Sequence, residues 1–188
     1  METRRRWHDG TLRLRGYDYT RPGAYFITLC TQYRECLFGE IRRGEMHLNR
    51  IGEIAQDEWT KTPVVRPGIE LDAFVIMPNH IHGVIVITGT GRFVGATRRV
   101  APTKGSTELM GPAPGSIGAI IGQFKSATTK RIRTLDGCPP DRIWQHNYYE
   151  HIIRHDDSLN RIRRYIAMNP NKWESDRENP RTPGRAGI

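Results

Sequence analysis

The apolar positions of the chain follow two periods, and their succession lays out the elements. Ala24 to Cys30 (AYFITLC) is a β-rich apolar run that follows the Pro22-Gly23 turn, and a hairpin with its turn at Arg43-Gly44 joins LFGEI to EMHLN. Asn49 stands where a helix cap belongs, ahead of Ile51, Ile54, Ala55 and Trp59 at helical spacing, and Pro63 stops the pattern. Leu71 to Met77 and His80 to Ile87 read as two strands joined by the Pro78-Asn79 turn. Ser116 then caps a helix with Ile117, Ile120, Ile121, Phe124, Thr128 and Ile132 on one stripe. Ile143 to Ile153 reads as a last strand with imperfect alternation. A final helix starts near Asp156, Asp157 and Ser158, buries Leu159, Ile162 and Ile166, and is limited by Pro170. The order β, hairpin, α, β, β, α, β, α places helices beside an antiparallel sheet, so the expected class is α+β, with a ferredoxin-like arrangement as the natural form.

Three segments carry no such period. Residues 1–16 are basic and turn-rich and read as an arm; residues 88–115 mix Gly, Thr, Pro and Arg and read as a flexible insertion; residues 174–188 read as a polar tail. One domain over 17–173 is expected, and 188 residues suffice to bury a core without staples.

Charge narrows the class of partner. Twenty-nine Lys and Arg against twenty Asp and Glu give a net charge of +9, the balance of a phosphate-backbone binder, although a merely soluble basic protein has it too. Cys30, Cys36 and Cys138 are isolated thiols without CxxC spacing, which argues against a disulfide framework or a zinc ribbon and fits a reducing cytoplasm. No stretch approaches the roughly 20 apolar residues of a membrane span, so no membrane partner is expected.

The candidate chemistry begins at Met77-Pro78-Asn79-His80-Ile81-His82-Gly83. Residues i and i+2 of a strand share a face, so His80 and His82 point the same way, Val84 and Val86 continue their face, and Ile81, Ile85 and Ile87 face the opposite layer. Two imidazoles opening an apolar strand have a reason to be there if they bind a metal; the bland alternative is a pair of satisfied histidines at a strand end. Two ligands are too few for a closed structural zinc site, so an ion held here keeps open positions.

In the last helix Tyr165 and Asn169 lie four residues apart on one face, which brings a nucleophile and a third ligand toward one ion. The rival reading makes Tyr165 an amphipathic core tyrosine. With a pKa near 10, a phenol needs help to attack, and Arg161, Arg163 and Arg164 are at hand. WQHNYYEHIIR (144–154) interleaves aromatic, amide and basic groups in the mixture that stacks bases and holds phosphates, with a plain structural strand as an equal rival. Candidate nucleic-acid contacts are Arg15, Lys125, Lys130, Trp144, Gln145, Tyr149, Arg154, Arg161 and Arg164. Tyr148 and Tyr149 compete as nucleophiles, and His146 and His151 rank second as ligands because their odd separation puts them on opposite strand faces.

HIH after MPN, then WQHNYYEHIIR, then RIRRYIAMNPNKWE, with GYDYTRPGAYFITLCTQYRECLFGEI near the start, resemble in order the single-tyrosine HUH transposases, specifically the REP-associated tyrosine transposases, over about Arg15 to Asn179. The resemblance implies a ferredoxin-like domain and a divalent ion, Mg²⁺ or Mn²⁺, at His80 and His82. It implies Tyr165 as the nucleophile that forms a 5′-phosphotyrosine link, and single-stranded DNA beside hairpins as the partner. Softness alone suits imidazoles to Mn²⁺ or Zn²⁺ better than to Mg²⁺. Insertion-sequence relatives carry Gln four residues after the tyrosine; Asn169 stands here, as in the REP-associated branch. The resemblance leaves both a monomer and a homodimer open.

Overall fold

In the computed structural model, which describes residues 17–89, 112–137 and 141–182, the chain order is β1 (Gly23–Cys30), β2 (Gly39–Arg42), β3 (Glu45–Leu48), α1 (Arg50–Thr60), α2 (Thr62–Val65), β4 (Ile69–Met77), β5 (His80–Ile87), α3 (Ile117–Ile132), β6 (Tyr149–Ile153) and α4 (Asp156–Met168). The expected arm 1–16 with Arg15, nearly all of the insertion and the last residues of the tail lie outside the described residues.

Strands β4, β5, β1 and β6 form one sheet in that order, every neighbouring pair antiparallel. With the β2–β3 hairpin set aside, the path is β-α-β-β-α-β, the ferredoxin-like arrangement that the sequence predicts. Both sheet faces are covered. Tyr25, Ile27, Leu29, Ile81, Ile85 and Ile87 pack against Ile54, Ala55 and Trp59 of α1 and Ile117, Ile120, Ile121 and Phe124 of α3. Phe26 and Val84 face the other way, against Ile166, Leu159 and Ile162 of α4. The histidines belong to this second face, so α4 is the element that covers them.

Local chemistry sets the helix starts. Asn49 Oδ1 accepts from Gly52 N–H at 3.0 Å to open α1, and Ser116 Oγ accepts from Ala119 N–H at 3.3 Å to open α3. Asp156 and Asp157 sit in the first turn of α4, where the helix dipole favours them. Gly83 has a packing reason. A Cβ there would lie 2.3 Å from Trp59, so the glycine lets α1 rest directly on the histidine strand.

Four boundaries differ from the sequence expectation. Pro63 does not simply stop α1; it starts the short α2. The last strand is confined to Tyr149–Ile153 instead of beginning at Ile143. Lys125 Nζ donates to the carbonyls of Gln145, His146 and Asn147 at 2.7, 3.3 and 3.3 Å, which turns that stretch into a loop; only Trp144 bridges, to Thr31. Pro170 begins a 3-10 turn, Pro170–Ser175, rather than a free end. Finally, residues 174–182 are no loose tail. Asn79 Nδ2 donates to Glu178 O at 2.6 Å, and Asn179 is buried with its amide donating to Trp173 O at 2.8 Å.

Candidate active site

Register places the first partner of the cluster: Thr28 lies opposite His82 in the β1–β5 ladder, and its Oγ1 is 2.8 Å from His82 Nδ1. The His82 Nε2 is 3.0 Å from the Tyr165 hydroxyl. With the phenol donating to Nε2, Nδ1 carries the ring proton and donates to Thr28, so both nitrogens are engaged. Phe26 stacks on His82 at 5.4 Å and meets Tyr165 edge-on at 6.1 Å. The imidazole and the phenol are thereby wedged together.

His80 is fixed from the opposite side. Asn79 Nδ2 donates to Arg34 O at 2.9 Å and to Glu178 O, which leaves its Oδ1 facing His80 Nδ1 at 2.9 Å. The His80 Nδ1 therefore carries the proton, and Nε2 is a bare lone pair. It is buried without a hydrogen-bond partner, as is Asn169 Oδ1. The Asn169 amide interacts with His80, Tyr165 and Asp176. Two buried acceptors without a hydrogen-bond partner in one small cluster form an arrangement that a cation satisfies. Ligand atoms of His80, His82 and Asp176 lie within 4.8 Å of one another. The donor set of two neutral imidazoles, a carboxylate and an amide oxygen suits a divalent transition ion, and the residues present fit such a group.

Electrostatics agree with this use. Desolvation by burial pushes His82 down to about 3 and His80 well below its ordinary range, the neighbouring His82 adding to the latter. Both rings are neutral near pH 7, the form that binds metals. Burial raises the Asp176 carboxyl. Tyr165 is also raised, first by burial and then by Asp176, while Asn169 lowers it. The phenol, 46 % exposed, is at once tied to the histidines and open to solvent.

The structure thus brings His80, His82, Tyr165 and Asn169 together within a single chain. It gives other candidates different settings. Trp144 is a core residue, packed between Phe38 at 5.4 Å and Phe124 at 5.5 Å, so its ring is not available for a base. Lys125, expected as a nucleic-acid contact, is committed to the loop carbonyls. Gln145 uses its backbone N–H on Cys30 O at 3.0 Å and is half-buried. Arg163 does not serve the phenol; it forms a two-pronged ion pair with Asp72 at 2.8 and 2.6 Å. Lys130, Tyr149, Arg154, Arg161 and Arg164 are exposed, and Arg161 and Arg164 line a cleft on the outer side of α4. His146 and His151 are exposed and outside the metal-ligand cluster. Tyr148 packs on the core, with Lys125 Nζ 5.6 Å from its ring centroid.

Sequence reasoning missed Thr28, Asn79 and Asp176. Asn79, immediately before His80 in a turn, was within reach of a search for groups that orient ligands. Asp176 lay hidden in a segment whose composition reads as tail.

No protein-family model matches the chain. The structure of a REP-associated tyrosine transposase bound to a REP hairpin superposes with a TM-score of 0.54 at 20% identity, covering 83% of this chain and 71% of that one. The fold is therefore that of the REP-associated tyrosine transposase, in keeping with the resemblance of the motifs. An uncharacterized protein of Haemophilus influenzae is 38% identical over 174 residues, which span 90% of this chain and 92% of that protein; the chain belongs to the same family. Among the described residues no helix is long and apolar enough to cross a membrane.

Proposed function

We propose that the protein is a metal-dependent enzyme that cleaves and rejoins single-stranded DNA, with Tyr165 as nucleophile and hairpin-forming repeats as substrate. One observation carries the reading: the Tyr165 hydroxyl lies 3.0 Å from His82 Nε2, beside two buried acceptors that lack a donor. His80, His82, Asn169 and Asp176 would hold the divalent ion, Mn²⁺ or Mg²⁺. Such an ion supplies positive charge that polarises a phosphoryl oxygen and stabilises a phenolate.

The chain's own groups do the rest. Tyr165 Oη, open to solvent, attacks phosphorus as its proton passes to water; the new bond is P–Oη, the bond lost is P–O3′, and the leaving 3′-oxygen takes up a proton from water. The product is a 5′-phosphotyrosine and a free 3′-hydroxyl. A second 3′-hydroxyl reverses the step, and because one phosphodiester replaces another, no external energy source is required. Phe26 and Thr28 keep His82 and the phenol in place, and Asn79 keeps His80 in the tautomer whose Nε2 is free. Lys130, Arg154, Arg161 and Arg164 supply backbone affinity, and Tyr149, 46 % exposed beside Phe26, supplies a face for a base. The neighbour of similar fold was captured with a REP hairpin, which supports the choice of substrate.

The test is a denaturing gel of labelled single-stranded hairpin DNA incubated with protein and Mn²⁺. A covalent protein-DNA adduct is expected for the wild type and for Tyr148→Phe and Tyr149→Phe, and none for Tyr165→Phe. An adduct that survives Tyr165→Phe refutes the nucleophile. Cleavage without any adduct means a nuclease that uses water, and binding without cleavage means a DNA-binding regulator.

A further inference from the structure

Tyr33 is the most exposed large hydrophobic residue of those described, at 81 %, and it occupies a backbone conformation that disfavours it. Its φ is +55°, and Arg34 follows at +58°. Glycine or asparagine holds such a position at little cost, whereas a bulky side chain there is an outlier. The turn is held by its surroundings. Thr31 Oγ1 donates to Glu35 O at 2.8 Å, Arg34 O accepts from Asn79 Nδ2 at 2.9 Å, and the Arg34 guanidinium pairs with Glu178 at 2.9 Å. Asn79 is the residue that orients His80, so one amide fixes both the turn and the ligand. Backbone strain retained next to a reactive cluster, and spent on showing a ring to solvent, is an observation from which function is inferred.

We infer that Tyr33 is a stacking platform for an unpaired nucleobase of the strand whose phosphate occupies the cluster. The inference rests on the reading of a single-stranded DNA substrate. Stacking on an aromatic face tolerates any base, so this subsite adds affinity and register without reading sequence. A ring carried on a turn already fixed through Asn79 and Glu178 loses little freedom when a base arrives. The net charge of +9 favours a polyanion over an apolar protein surface as the occupant of this ring.

The test uses the full chain with a single-stranded oligonucleotide carrying 5-iodouracil at successive positions, in EDTA so that binding is read without cleavage. Dissociation constants, the site of the photocrosslink and the thermal midpoint are measured for the wild type, Tyr33→Phe and Tyr33→Gly. One iodouracil position is expected to crosslink to residue 33 in the wild type and in Tyr33→Phe. Tyr33→Gly is expected to lose that crosslink and bind about fivefold or more weakly, with a thermal midpoint equal to or above the wild type, because glycine relieves the turn. Wild-type affinity in Tyr33→Gly overturns the proposal, as does a fall in midpoint that accompanies weaker binding, which marks a structural role. If the wild type itself fails to bind single strands, the failure is that of the substrate reading, and the platform falls with it.

Discussion

Each ring nitrogen of His82 has a partner, Thr28 on one side and Tyr165 on the other, and desolvation keeps the ring neutral. This ties stability to pH. In the unfolded chain the imidazole titrates at 6.5, and in the folded chain at about 3. Between those values the unfolded state binds more protons, so the free energy of unfolding rises with pH across that window and is lost as pH falls through it. His80, also lowered, acts in the same sense. Asp176, raised by burial, acts in the opposite sense from its ordinary 3.8 upward. The urea midpoint of metal-free protein is therefore expected to fall between about pH 7 and about pH 5, and His82→Gln to flatten that fall. An unchanged slope in His82→Gln contradicts the burial cause. At this scale the sequence was informative about the histidines, because period two puts them on one face whatever the fold. It showed Asn79 only as a turn residue beside His80, and it was silent about Thr28, whose role comes from a cross-strand register.

The elements show why charge on a helix is a poor guide to its use. Strand β4 carries a bulge between Leu71 and Phe74 that interrupts its register with β5, and Asp72, within the bulge, pairs with Arg163 of α4. Arg161 and Arg164, on the same helix, stay open to solvent. Their contributions separate by salt. Arg161→Ala and Arg164→Ala are each expected to weaken single-strand binding at all sequences and to reduce the slope of log affinity against log salt by roughly 0.7, while Arg163→Ala leaves that slope unchanged and lowers stability only slightly. Equal salt slopes for all three variants would sink this division. Lys125 teaches the same lesson in the other direction. From helical period it stands beside the buried stripe of α3, with nothing to say whether it meets solvent or a neighbour; it gathers three carbonyls of the 145–147 loop, and the strand is shorter than alternation predicts. Neither pairing is local in sequence, and neither leaves a periodic signal.

For the whole molecule, the cluster is drawn from the β5 start, the β1 ladder, the α4 end and the segment after it, so ion binding is expected to be linked to global stability. Mn²⁺ at about a hundred times its dissociation constant should stabilise the folded chain by roughly 2.7 kcal/mol, seen as a rise in thermal midpoint. His80→Ala should abolish the rise and Asp176→Asn should reduce it; an undiminished rise in both variants excludes the cluster as the site. The hydrophobic periods determined the element order, the α+β class and the two faces of β5, because burial of apolar surface acts on every residue of an element and leaves a repeating signature. The basic balance and the histidine pair were equally plain from the chain. Tertiary structure alone decided that 174–182 folds back to the histidines with Asp176, that Trp144 turns inward, and that Arg163 and Lys125 are spoken for. Those outcomes depend on single contacts between residues far apart in sequence, and a contact made once has no period to read.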